Sequence, residues 1–577
     1  MKQLLREILR ENKKGFLTIL FWNIIVSLMG GIGIVMLVPL LNTLEIGSTW
    51  MPDWFMAISY PVRVAILLVS YIALVTIKSL ISRRTSLRES EFLEDISLKQ
   101  RRRLYDTVFH ADLESLTLQK DTDIINLFTS QCSQVSYAIS EFIHLLVNIF
   151  SAVIQLTIAL MMSVPVTLLV CILGVCMIAV FRPLRKKSRE YGDRMIKLSR
   201  EFYSELNNQL VGVKEIRAYG VQKQHAEQFE EISSSFKEAS IDYARRSSVP
   251  SVVYSVAAAL LIAAVYLVCT LGLRVETDRL VILVYVFARL WPIASGFQST
   301  IQHINRCIPS LQKIVEAEES MRREVPGETI ETDFSSWSEA AFENVSFTYR
   351  DSDSATLQNV NFTLRRGETL ALLGRNGAGK TTAVNLLLGF LLPGSGAIRV
   401  DGTALTSATQ SSWRAQAGYI PQDPLILNAS VRDNLKRFHP DATDEDIIAA
   451  LKSAMAWDFV SKLENGLDTT LGDRGVRLSG GQRQRIVLAR VLLGKPSLVI
   501  LDEATSALDY DGENAFRRMI TSMRSSACVV LIAHSLATVR MADYAVVLED
   551  GTISEQGTIK ELLNRQDGYL AGMAGLE

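Results

Sequence analysis

The chain has 577 residues, more than a single hydrophobic core organises, so it predicts two or more domains. Lys+Arg 60 against Asp+Glu 61 leaves a formal net charge of -1, without the basic surplus that a nucleic-acid binder needs to track phosphates. Hydrophobic residues make up 48% and mean hydropathy is +0.20, high for a soluble protein and unevenly spread.

In chain order, the basic amphipathic start Met1-Lys2-Gln3-Leu4-Leu5-Arg6 leads into residues 16–41, which carry no charge. That run is too long for a signal-peptide core and has no small-x-small cleavage site at its end, so it reads as a first membrane span that stays. Five more apolar stretches follow at 62–81, 142–162, 164–181, 252–273 and 280–301, each near the roughly 20 residues that a spanning helix needs. Ser163-Val164-Pro165 is the turn that divides the third from the fourth. Basic residues flank one side of the bilayer: Lys2, Arg6, Arg10, Lys13 and Lys14 before the first span, Arg83, Arg84 and Arg88 after the second, Arg182, Arg185, Lys186 and Lys187 after the fourth. The positive-inside rule makes that side cytoplasmic and puts both termini there. The connections at 82–141 and 182–251 are charged and poor in Gly and Pro, and read as helices that continue the spans into the cytoplasm. Pro326-Gly327 ends the last helix. Residues 1–325 then form a membrane domain, 326–339 a polar linker, and 340–577 an α/β domain. Cys132, Cys171, Cys176, Cys269, Cys307 and Cys528 show no C-x-x-C pairing and read as buried free thiols.

The α/β domain carries the chemistry. Gly374-Arg375-Asn376-Gly377-Ala378-Gly379-Lys380-Thr381 fits the phosphate-binding pattern G-x-x-x-x-G-K-[ST] and follows an apolar strand, Thr369-Leu370-Ala371-Leu372-Leu373. Its glycines let backbone N–H groups converge on a triphosphate, Lys380 adds a point charge, and the Thr381 hydroxyl is placed to ligate Mg²⁺, with Thr382 continuing the run. Leu478-Ser479-Gly480-Gly481-Gln482 precedes a second apolar strand, Leu498-Val499-Ile500-Leu501, that ends in Asp502-Glu503.

These elements, in this order, resemble the ATP-binding-cassette (ABC) family, and six spans with two long cytoplasmic excursions resemble its exporters. The segment Val213-Lys214-Glu215-Ile216-Arg217-Ala218-Tyr219-Gly220 looks like the second excursion of that family. The resemblance implies ATP and Mg²⁺ as cofactors. Asp502 and Gln422, the latter in Ile420-Pro421-Gln422-Asp423, would reach the metal; Glu503 would polarise the attacking water and His534 contact the γ-phosphate. Ser506-Ala507-Leu508-Asp509 matches the D-loop, and Tyr349 stands where the family stacks adenine. Ser479, Gly480, Gly481 and Gln482 would clamp nucleotide on the opposite domain, so a half-transporter must dimerise, with a homodimer favoured over a heterodimer. Where exporters usually carry Gly-Glu-x-Gly, this chain has Gly472-Asp473-Arg474-Gly475, a shorter acid.

The expected activity is ATP-driven export or flipping of an amphiphilic substrate out of the cytoplasm or inner leaflet, in the inner membrane and with no nucleic-acid partner. A modified or cyclic peptide, a lipid-linked glycan and a hydrophobic drug all stay open as substrates. The rival reading is an ATP-gated channel or regulatory subunit on the same fold. Glu141, His144, Asn148, Ser151 and Gln155 recur at spacings of three and four along the third span, which places them on one helical face. Such a polar stripe is expected to face the bundle interior, either as substrate route or as hydrogen-bonded glue. Arg289 and Gln298 on the sixth span are candidates for the same space, with Arg289 a counter-charge for Glu141.

Overall fold

The computed structural model describes residues 2–36, 55, 57–162, 164, 167–168, 172, 184–267, 277–321, 330–502, 510–565 and 568–576. The chain divides into two units, Met1–Ala111 with Ser115–Arg322, and Asp112–Glu114 with Arg323–Glu577.

The first unit is built of long helices: α1 (Lys2–Val35), α2 (Tyr60–His110), α3 (Cys132–Met162), α4 (Leu184–Val211), α5 (Gln222–Leu267) and α6 (Thr277–Met321). The backbone of α1 breaks at Asn12 (φ -160°), and the Asn12 side chain accepts from Gly15 N at 2.9 Å, so the charge-free run starts on its own cap. Among the described residues, three segments are long and apolar enough to cross a membrane, within Asn12–Gly33, Tyr60–His110 and Asp121–Leu160. They overlap the first three stretches read from the sequence, of which residues 37–41 of the first lie outside the described residues. The fourth lies mostly outside the described residues, the fifth falls on α5 as far as Leu267 with its remainder outside the described residues, and the sixth falls on α6.

In α2 the sequence changes character without a helix break, and the two halves pack differently. Val69, Ile72 and Leu80 are 66%, 61% and 61% exposed, which suits a surface whose solvent is lipid. Further along, Phe92, Ile96 and Leu104 are buried against Val135, Ile139 and Ile143 of α3 and Ile304, Leu311 and Ile314 of α6. The spacing of four along α3 keeps one stripe against its neighbours. α4 and α6 approach closely through Gly192, where a Cβ would stand 2.2 Å from the Arg306 carbonyl oxygen. Cys132, Cys307 and Cys528 are free and buried, and Cys171, Cys176 and Cys269 lie outside the described residues.

The second unit holds two sheets. A four-stranded sheet has the order β2-β1-β4-β5, from β1 (Glu339–Phe347), β2 (Leu357–Arg365), β4 (Ser395–Val400) and β5 (Thr403–Ala404). A six-stranded sheet has the order β10-β9-β3-β8-β7-β6, from β3 (Thr369–Gly374), β6 (Ala417–Ile420), β7 (Leu498–Asp502), β8 (Cys528–Ile532), β9 (Tyr544–Glu549) and β10 (Thr552–Thr558). β9, β3, β8, β7 and β6 run parallel, and β10 pairs antiparallel at the edge. Every residue of β3 and β8 is buried, which is why they read as unbroken apolar runs rather than alternating ones. The helices that position the site are α7 (Lys380–Leu387), α8 (Val431–Lys436), α9 (Asp444–Ser453), α10 (Gly480–Leu493) and α11 (Tyr510–Met523).

Candidate functional site

Sheet order assembles the site. Neighbouring parallel strands β3, β8, β7 and β6 end at Gly374, Ile532, Asp502 and Ile420. Their carboxyl ends therefore present the Gly374–Thr381 loop, His534, Asp502 and Gln422 along one edge, where open α/β sheets bind their ligands. These residues lie far apart in sequence and become neighbours only through the strand crossovers. Gln422 and His534 are exposed there.

The phosphate loop shows why its glycines are needed. Gly374, Gly377 and Gly379 have φ of +140°, +83° and +99°. A Cβ at Gly374 would lie 2.2 Å from the Leu548 carbonyl oxygen, and one at Gly379 would lie 2.6 Å from Leu357 Cδ2. A Cβ at Gly377 would meet nothing within 4 Å, so the bare backbone of the exposed tip Arg375-Asn376-Gly377 leaves an open cradle. Ala378, Gly379 and Lys380 are buried behind it. Lys380 Nζ donates to the carbonyl oxygens of Gly374 (2.8 Å) and Arg375 (3.0 Å), which folds the ammonium back over the loop. A cradle of left-handed glycines, a cation folded over it and an exposed Thr381 in the first turn of α7 together fit a triphosphate with its metal.

Tyr349 stands half-buried beside this loop. Its Oη lies 3.2 Å from Thr382 Oγ1 on α7, and its ring meets Phe347 edge-on at 4.9 Å. The next residue, Arg350, belongs to the same unit as Asp112 and Glu114 and pairs with both: its backbone N–H donates to Glu114 Oε1 at 2.5 Å, and its guanidinium reaches Glu114 at 3.3 Å and Asp112 at 3.4 Å.

A residue that the sequence reading missed stands at the end of β7. Tyr419, on the neighbouring strand β6, hydrogen-bonds through its phenol to the Asp502 side chain, and burial together with the adjacent Asp502 carboxylate pushes the phenol up to about 12. The parallel register pairs Tyr419 with Ile500 and Ile420 with Leu501. A tyrosine three residues before Gln422 gives no local sign of this contact, which depends on strand pairing. Glu503 and the run 506–509 lie outside the described residues.

Ser479 has a local task that the sequence reading did not assign. It is the N-cap of α10: its Oγ accepts from Gln482 N at 3.3 Å, and Gln482 Oε1 accepts from Ser479 N at 2.9 Å. Gly480 and Gly481 are the first two residues of that helix. The shorter acid Asp473 accepts from Asn428 Nδ2 at 2.6 Å, in the segment that follows Gln422.

In the first unit, the polar stripe of α3 meets two neighbouring helices. Glu141 Oε1 lies 3.0 Å from His303 Nδ1 on α6, and the Tyr137 hydroxyl lies 2.9 Å from the same nitrogen. His144 Nε2 lies 3.4 Å from Glu89 Oε1 on α2. Gln155 Nε2 donates to Ser151 Oγ at 3.4 Å, and Asn148 is half-buried. The side chains of Arg289 and Gln298 lie outside the described residues. Glu141 therefore has a basic neighbour, His303, that the sequence reading did not name.

Comparison with known proteins places both units. The family profile described as "ABC transporter transmembrane region" matches residues 16–286, and the one described as "ABC transporter" matches residues 357–506. The chain is 30% identical over 497 residues to YgaD of Bacillus subtilis (strain 168), an ATP-binding/permease protein named for multidrug export, covering 83% of each. It is 41% identical over 239 residues to the leukotoxin export ATP-binding protein LtxB of Aggregatibacter actinomycetemcomitans, a match that spans 41% of this chain and 34% of the relative. The fold is that of a bacterial Atm1-family ABC exporter solved with ATP bound, with a TM-score of 0.84, 23% identity and 98% of each chain covered.

Proposed function

We propose, on the premise that this chain belongs to the ABC transporter family as an ATP-hydrolysing exporter, that two copies of it move an amphiphilic substrate out of the cytoplasm or the inner leaflet. The exporter is a multi-pass protein of the inner membrane with its ATPase domain in the cytoplasm. The observation that carries the proposal is the strand order β3-β8-β7-β6, which sets the glycine cradle, His534, Asp502 and Gln422 along one edge of a cassette joined to apolar helices.

In this reading the loop Gly374–Thr381 binds the triphosphate, and Tyr349 stacks the adenine. Thr381, Asp502 and Gln422 hold Mg²⁺, which supplies charge neutralisation at the phosphates when bound. Glu503 orients the attacking water and His534 contacts the γ-phosphate. Ser479, Gly480, Gly481 and Gln482 complete the site of a second copy, so the dimer closes on nucleotide and hydrolysis reopens it. The multidrug and toxin export in the relatives' names suits a large amphiphilic cargo; a modified or cyclic peptide, a lipid-linked glycan and a hydrophobic drug are the three classes to test.

The test uses the full chain in proteoliposomes. Glu503→Gln is expected to keep ATP affinity and lose turnover by about a hundredfold or more, whereas Lys380→Ala weakens ATP binding itself. Wild-type hydrolysis in Glu503→Gln removes the role given to that residue. Continuous ATPase activity stimulated by one of the three cargo classes separates an exporter from an ATP-gated channel.

A further inference from the structure

Arg490 is a buried cation whose side-chain hydrogen bonds, among the described residues, go to uncharged oxygens. On α10 it is 7% exposed, and burial lowers its guanidinium to about 10, still charged at neutral pH. Its partners are carbonyl and amide oxygens: Nε donates to Asn434 O at 3.0 Å, Nη1 to Leu425 O at 3.0 Å, and Nη2 to Asn434 Oδ1 at 3.3 Å. Phe438 covers its face at 4.1 Å. A planar fork reaches several acceptors at fixed angles, which a lysine ammonium does not.

Asn434 is the second half of the joint. It is fully buried, and its Nδ2 donates to Leu427 O at 3.0 Å and Ser430 O at 3.0 Å while its Oδ1 accepts from Leu427 N at 2.8 Å. One side chain thus holds the shape of the segment 425–430, and Arg490 fastens that shape to α10. The rim repeats the connection: Asn428 holds Asp473, Leu471 N donates to Ala429 O at 3.0 Å, and Ser430 bridges to Thr470. The two segments tied together are the one that leaves Gln422 and the one that leads into Ser479.

We propose that Arg490 and Asn434 are positioning residues that make the loop after Gln422 and the helix that begins at Ser479 respond to nucleotide as one body. This rests on the reading of Gln422 as a residue that reaches Mg²⁺ in its own site and of Ser479 as one that meets the nucleotide of the second copy. A cation inside a domain is costly to bury unless its donors are used. Here Nη1 goes to the backbone of that segment at Leu425, and Nε and Nη2 go to Asn434, whose side chain shapes it.

The experiment is hydrogen exchange on the full-length protein in nanodiscs, titrated with Mg²⁺ and the ATP analogue AMP-PNP, following residues 423–431 and 478–486. In the wild type both segments are expected to gain protection with one shared nucleotide midpoint. In Arg490→Lys, which keeps the charge and loses the fork, segment 423–431 loses about tenfold in protection and its midpoint separates from that of 478–486 by fivefold or more. Coincident midpoints in a folded Arg490→Lys overturn the proposal. Should that variant not fold, Asn428→Ala at the exposed rim decides alone: midpoints at least twofold apart support the joint, and coincident ones overturn it. Absence of any nucleotide response at either segment of the wild type would instead remove the reading of Gln422 and Ser479, and the proposal with it.

Discussion

At the scale of single residues, the phenol of Tyr419 is the sharpest addition to the site. It donates to the carboxylate of Asp502, the residue proposed to hold Mg²⁺, and so orients a metal ligand from a neighbouring strand. Tyr419→Phe keeps the ring and removes the donor. The Mg²⁺ concentration for half-maximal ATPase is expected to rise about tenfold, with metal-free ATP binding unchanged, read by metal titration and by nucleotide fluorescence. An unchanged Mg²⁺ midpoint removes this role. The pH dependence follows from the direction of the shift. A phenol raised to about 12 stays protonated, and its contribution is whole below the ordinary value of 10 and disappears only as pH climbs through 12. An alkaline limb between pH 8 and 10 that Tyr419→Phe abolishes would contradict this.

At the scale of elements, two joints differ in how they respond to conditions. Arg432 on α8 pairs with Asp444 at the start of α9 and, at 2.9 Å, with Asp468. Its hydrogen bonds hold both carboxyls below the usual aspartate value of 3.8. The tie is therefore present above that value and is lost only as the pH falls beneath it, and salt weakens it because the carboxylates are exposed. Carboxyl chemical shifts followed from pH 6 to pH 2 should place both midpoints below 3.8; Arg432→Ala should return Asp468 to it and raise Asp444 only part of the way, because Lys436 stays 3.7 Å from Asp444. The joint between α3 and α6 is of another kind, since half-buried Glu141 and His303 meet there beside the exposed Tyr137. His303→Ala is expected to cost about 0.5–1.5 kcal/mol, seen as a lower Tm in detergent. His144→Ala should change Tm less, because His144 is exposed and Glu89 keeps Ser140 at 3.4 Å. Equal losses in the two variants would show that exposure does not decide the cost.

At the scale of the whole molecule, the proposed dimer makes the phosphate loop of one copy meet Ser479 of the other. A chain carrying Asn376→Cys and Ser479→Cys in a Glu503→Gln background is expected to form disulfide-linked dimers in membranes when Mg²⁺-ATP is added, and few without it. Cys132, Cys307 and Cys528 are buried, and the chain with its six native cysteines but neither added one sets the background. Monomers only, with and without nucleotide, would count against the proposed closure. Lipid is the other partner: the exposed apolar residues of α2, Val69 and Ile72 among them, suit the hydrocarbon of a bilayer.

What the amino-acid sequence determined by itself is whatever is written in consecutive residues. The loop Gly374–Thr381 closes on its own backbone, the capped helix at Ser479 closes within three residues, and an apolar run of spanning length declares its solvent wherever it lies. The family, the fold class and the order of the units follow from such local signals. The tertiary structure alone decided which side chains meet across elements. Glu141 finds His303 across 162 positions, Arg490 finds Leu425 across 65, and Tyr419 finds Asp502 through the pairing of two strands. None of these contacts has a period or a spacing, because each depends on how helices cross and strands order after the chain has folded. A hydrogen bond between distant residues is set by packing, and packing leaves no mark on the residues between them.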